Sequence, residues 1–82
     1  MTKMKRVKVV ERHLGREKAF GLAYPDGLVE LDPRQNSREY LDTLIHEILH
    51  VIEPKWSEDA IWDAANVLSS KIWKANYRRI RK

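Results

Sequence analysis

The apolar positions change their period part-way along the chain. Up to residue 31 they form short runs that alternate loosely with polar residues, and from residue 37 onward they recur every three or four. Val7-Lys8-Val9-Val10 predicts a strand over Arg6 to Val10 with one face buried. Leu14-Gly15-Arg16-Glu17 reads as a connection. Lys18 to Tyr24 predicts a second strand, with Gly21 a weak point or bulge. Pro25-Asp26-Gly27 is a turn signal, because proline presets φ and glycine accepts positive φ. Leu28-Val29-Glu30-Leu31 follows as a third strand, paired with the second in a hairpin. Pro33 cannot donate to a ladder and ends it.

Two helices complete the pattern. Asn36-Ser37-Arg38-Glu39 has capping-box spacing, and Pro54 stops the first helix near Ile52. Tyr40, Leu41, Leu44, Ile45, Ile48, Leu49, Val51 and Ile52 form a broad apolar arc on it. Glu39, Asp42, Thr43, His46, His50 and Glu53 fall on the opposite stripe, so the histidines are solvated or face a site. Ser57 caps the second helix, and Glu58 and Asp59 suit the positive end of its dipole. It should reach about Tyr77, burying Ile61, Ala64, Ala65, Leu68, Ile72 and Ala75. The expectation is an α+β fold: a small antiparallel sheet of about three strands followed by two packed helices. The whole of 1–82 would form one minimal domain.

Composition narrows the chemistry. An 82-residue chain buries a modest core and often needs a staple such as a metal. With no cysteine, any metal must use His, Asp or Glu. No apolar run approaches the roughly 20 residues of a membrane span, and Met1 to Arg6 leads into a segment too short and charged for a signal peptide. The expected location is the cytoplasm. The formal charge is +4, much of it from Lys71, Lys74, Arg78, Arg79, Arg81 and Lys82. Such a tail completes a helix dipole, or contacts nucleic acid or an acidic partner.

The centre of the chain is His46-Glu47-Ile48-Leu49-His50. Residues four apart on a helix are separated by about 40°, so both imidazoles can share one metal ion. Glu47 stands where a general base would deprotonate a zinc-bound water. Zinc needs a third protein ligand. Glu58 is favoured if the helices pack, because it lies about 60° from the centre of the buried stripe at 100° per residue. Asp59 points away from that stripe, and Glu53 would have to bend back along its own helix. Asp42 and Thr43 are candidates to orient the imidazoles.

From Gly21 onward the sequence resembles a family of very small zincin-like metallopeptidases encoded by phages and prophages. The resemblance rests on the hairpin, Leu31-Asp32-Pro33, Leu41 to His50, Pro54, Ser57-Glu58-Asp59-Ala60-Ile61 and Ile72-Trp73. It implies a gluzincin-like site in which His46, His50 and Glu58 bind Zn2+ and Glu47 is the catalytic base. The family pattern is not acidic at the position of Glu53. In a phage-encoded protein the location would be the host cytoplasm.

The expected function is therefore zinc-dependent hydrolysis of peptide bonds in a peptide or protein substrate. The third strand is a candidate edge for an extended substrate. Tyr24, Tyr77 and His13 are candidates for stabilising the oxyanion. The alternative is a non-catalytic, zinc-stabilised interaction module whose basic C-terminal helix meets nucleic acid or an acidic partner. A metal-free nucleic-acid module rests on charge alone.

Overall fold

A computed structural model describes residues 6–80. The basic residues before Arg6, and Arg81 and Lys82, lie outside the described residues. The elements are β1 (Lys8–Glu11), a 3-10 turn (Gly15–Glu17), β2 (Gly21–Ala23), β3 (Leu28–Leu31), α1 (Ser37–Ile52) and α2 (Glu58–Lys74). The architecture is α+β, a three-stranded sheet followed by two packed helices. Among the described residues, no helix is long and apolar enough to cross a membrane.

The sheet is mixed, not antiparallel throughout. Its order is β1-β3-β2, with β2 antiparallel and β1 parallel to β3. The Pro25–Gly27 turn sets the hairpin. Gly27 has φ +98°, and a β-carbon there would collide with the Arg6 carbonyl oxygen. The direction of β1 is fixed by the segment that follows it. Leu14 is fully buried, and its N–H donates to Asp32 Oδ2 at 2.9 Å. That anchor carries the chain back across the end of β3, so β1 must run alongside β3 in the same sense. The third strand is therefore central, and the free edges belong to β1 and β2.

The second strand is shorter than the pattern predicts because Lys18 adopts φ 53°, a left-handed conformation that no strand continues through. The third strand has the expected bounds and buries Val29 and Leu31. In α1, Asn36 Oδ1 accepts from the Glu39 N–H while the Glu39 carboxylate accepts from the Asn36 N–H, completing the capping box. Ser57 caps α2 by accepting from the Ala60 N–H.

The core has two parts. Val29, Leu31 and Val51 join the sheet to one side of α1, with Tyr40 and Leu44 packed against them. Leu49, Ile61 and Ala65 join the other side of α1 to α2. Among the described elements, α2 touches only α1. Its buried stripe runs through Ile61, Ala65 and Ser69, and Leu68 is 43% exposed, so the stripe is rotated from its expected position. Ser69, fully buried on that stripe, donates from Oγ to Asp42 Oδ1 at 3.0 Å across the helix interface. The helix ends at Lys74, short of Tyr77, and Asn76 turns left-handed at φ 69°.

Candidate metal centre

One turn of α1 and the first residue of α2 build the centre. His46 and His50 stand one above the other on α1, as i and i+4 require. The Ile61–Leu49 contact brings the two helices together, and Ser57 starts α2 where Glu58 reaches the imidazoles. His50 Nε2 lies 3.1 Å from His46 Nε2, and Glu58 Oε1 lies 3.0 Å from each. The side chains are 12%, 30% and 61% exposed in the order His46, His50, Glu58, so the group opens to solvent at the carboxylate.

Two ring nitrogens, each a donor or an acceptor according to its tautomer, and a carboxylate oxygen thus face one another at hydrogen-bond distance. Neutral imidazole nitrogens and a carboxylate oxygen repel unless protons or a cation lie between them. Two imidazoles and a carboxylate are a zinc-type donor set. Tetrahedral ligands at about 2.0–2.1 Å from zinc stand about 3.3 Å apart, close to the observed separations. These residues fit a metal ion, and among the described residues no other group of three His, Asp or Glu side chains does so.

Of the acidic residues considered for the third position, the structure brings in Glu58 alone. Glu53 is the C-cap residue of α1 and Asp59 is exposed, and neither joins the cluster. Asp42 and Thr43 do not orient the imidazoles. Asp42 accepts from Ser69, and Thr43 Oγ1 donates to Gln35 Oε1 at 2.7 Å. His46 Nδ1 is buried without a hydrogen-bond partner. Packing holds that ring instead, with the Trp62 ring centroid 4.6 Å away.

Glu47 lies beneath this group, against the sheet. Burial pushes its carboxyl pKa up, His46 and His50 pull it down, and Glu58 pushes it up again. Gly21 makes this placement sterically feasible. A β-carbon there would lie 2.7 Å from Thr43 Cγ2 and 2.9 Å from Glu47 Cγ. The glycine is thus a close-approach position within a paired strand, and it forms no bulge.

The free edge of β2 borders the same place. Asp32 N–H donates to Phe20 O and Tyr24 N–H donates to Leu28 O, so the alternation of an antiparallel ladder turns the Gly21 and Ala23 backbone groups outward. Two hollows flank the centre along this edge. One, of about 160 Å³, is lined by Phe20, Gly21, Asp42, Thr43, His46, Glu47 and Trp62. The other, of about 270 Å³, is lined by Ala23, Tyr24, Pro25, His50, Val51 and Pro54.

The oxyanion candidates separate. Tyr24 borders the second hollow, but its hydroxyl donates to Glu30 Oε1 at 2.7 Å. Tyr77 lies in a different groove, and His13 is on the surface. Comparison with family models, with curated proteins and with solved structures finds no match for the chain.

Proposed function

We propose that this chain is a zinc-dependent metallopeptidase, His46, His50 and Glu58 holding the ion and Glu47 serving as general base. The observation that carries the reading is the convergence of three ligand atoms within 3.1 Å of one another, beside a half-buried glutamate with a raised pKa. Zinc, when bound there, supplies Lewis acidity that acidifies a water and polarises a carbonyl. Glu47 takes the proton of the attacking water and returns it to the leaving amine.

An extended peptide would pair with the outward Gly21 and Ala23 backbone groups of β2, by strand addition. Its side chains on either side of the scissile bond would enter the two flanking hollows. The substrate on this reading is a peptide or protein segment in extended conformation.

The test has two parts. Mass spectrometry of protein purified without added metal should give about one zinc per chain, lost in Glu58→Ala and kept in Asp59→Ala. A peptide library should then be cleaved by the native protein, with Glu47→Gln lowering the rate by about 10²- to 10⁴-fold at unchanged zinc content. Unchanged hydrolysis by Glu47→Gln would sink the mechanism.

A second reading, a zinc-stapled interaction module, draws support from α2 touching α1 alone, so that the ion would tie α2 down. It expects zinc to raise the melting temperature and Glu47→Gln to leave every function intact.

A further inference from the structure

A second groove lies at the opposite end of α2, about 22 Å from Glu58 along the helix at 1.5 Å per residue. It has a volume of about 220 Å³, and its walls are Tyr40, Leu41, Leu44, Ile72, Trp73 and Tyr77. Arg78 and Arg79 line this apolar floor, and Arg38 stands close to its Trp73 wall. Arg78 stacks on the Trp73 ring at 3.4 Å, Arg79 on the Tyr40 ring at 4.0 Å, and Arg38 stands 5.8 Å from Trp73. The sequence pattern did not foretell this interleaving of aromatic and basic side chains, because Tyr40 and Arg38 come from a different helix.

Among the described residues this charge is only partly balanced: Arg79 donates to the Pro33 and Gln35 carbonyl oxygens and pairs with Glu11, whereas Arg78 and Arg38 have no carboxylate partner. Arg78 donates only to the Trp73 and Tyr77 carbonyl oxygens. Among the described residues, Glu11 is the one carboxylate within ion-pair reach of the three, at 3.7 Å from Arg79. Arg38 Nη1 and Arg79 Nε are buried without hydrogen-bond partners. Tyr77 is nevertheless 71% exposed, leaving apolar surface in water beside this positive charge.

We propose that this groove binds an acidic peptide segment that inserts one bulky apolar side chain. Carboxylates flanking that side chain would meet the arginines, which suit planar, bidentate pairing. The volume is below the roughly 300 Å³ at which small-molecule sites begin, and it suits a single anchoring side chain of the kind that dominates interface energetics. Stacked nucleic-acid bases are disfavoured because guanidiniums already lie over the Trp73 and Tyr40 rings. The chain's own termini are disfavoured as occupants because Lys3, Lys5, Arg6, Arg81 and Lys82 are all basic, and a second copy brings a further +4.

The test is to pan a display library of random twelve-residue peptides against the intact protein. The enriched peptides are then resynthesised with a fluorophore and titrated by anisotropy. The expected sequences carry Asp or Glu around a single Leu, Phe or Trp. Changing that anchor to Ser, or the protein by Arg78→Glu or Tyr77→Ala, should each weaken binding at least about tenfold. In ¹H–¹⁵N spectra the Trp73 indole N–H should shift, while that of Trp62 stays in place and reports that each variant is folded. Enrichment of no peptide, or of peptides without acidic residues, overturns the proposal. So does binding indifferent to Arg78→Glu. Tighter, Arg78-dependent binding of a random single-stranded oligonucleotide would reassign the groove to nucleic acid, and self-association that buries Trp73 would reassign it to a second copy.

Discussion

Two polar clusters of this small protein have opposite characters. Around Asp32, which is 4% exposed, both carboxylate oxygens have protein donors. Its carboxylate receives the Leu14 N–H, the Arg34 N–H and two guanidinium N–H groups of Arg34, all within 3.0 Å. Gln35 beside it donates to the Phe20 and Asp32 carbonyl oxygens and accepts from Thr43. Around His46, His50 and Glu58, two ring nitrogens whose donor or acceptor role depends on the tautomer and one carboxylate oxygen crowd within 3.1 Å of one another. A buried polar group needs a partner. Around Asp32 the protein supplies the partners itself; the His46–His50–Glu58 group, open to solvent at the carboxylate, is the one that could take a partner from outside. The groove beside Trp73 shows the same asymmetry with the sign reversed.

The contrast can be broken most strongly at Leu14, which depends on the Asp32 cluster. Leu14→Ala should cost about 2–5 kcal/mol in urea unfolding, through the cavity left where a fully buried side chain was removed. Zinc content per folded chain should not change. An equal loss from Val9→Ala, on the exposed edge, would show that Leu14 is no special anchor.

The candidate metal centre should respond to zinc. Zinc at a hundredfold excess over its Kd should stabilise the native protein by about 2.7 kcal/mol, an effect that a chelator reverses and Glu58→Ala removes. A thermal melt with and without zinc reads this directly. Identical shifts in native protein and Glu58→Ala would place the ion elsewhere.

Gly21→Ala tests the approach of β2 to Glu47. Forcing a methyl against Thr43 and Glu47 should cost about 1–3 kcal/mol and lower peptide hydrolysis more than it lowers stability at the assay temperature. Full activity with full stability would mean that the strand has room to move.

The smallest effect is in acid. Hydrogen bonds from Arg12 and Tyr24 hold the Glu30 carboxyl at about 2, below its ordinary 4.5. Arg34 and two backbone N–H groups hold Asp32 well below the usual carboxylate range. A carboxylate with a depressed folded pKa stabilises the fold above its unfolded value, and that contribution is lost as pH falls through the folded one. The melting temperature should therefore decline between pH 4.5 and 2. Glu30→Gln should flatten part of that decline, and a native curve that is flat over the same window would contradict the assignment.

Most of the site was legible in the sequence because helical geometry is local. The spacing of His46 and His50 fixes their common face before any tertiary contact forms. Asn36 and Ser57 mark where each helix starts, and the start of α2 puts Glu58 one turn from its buried stripe. The hairpin was legible for the same reason, since Pro25 to Gly27 carries its own turn chemistry.

What the tertiary structure alone decided depends on residues far apart in the chain. The burial of Leu14 against Asp32 sets β1 parallel to β3, and this makes β2, not β3, the edge beside the centre. The packing of α2 buries Ser69, bonded to Asp42, and leaves Leu68 in water, although the spacing of Leu68 places it on the apolar stripe. Arg38 and Tyr40 meet Trp73 and Arg78 only once the two helices have packed. Periodicity assigns a residue to a face of its own element; which faces meet, and in which direction, depends on pairings between segments that local sequence does not encode.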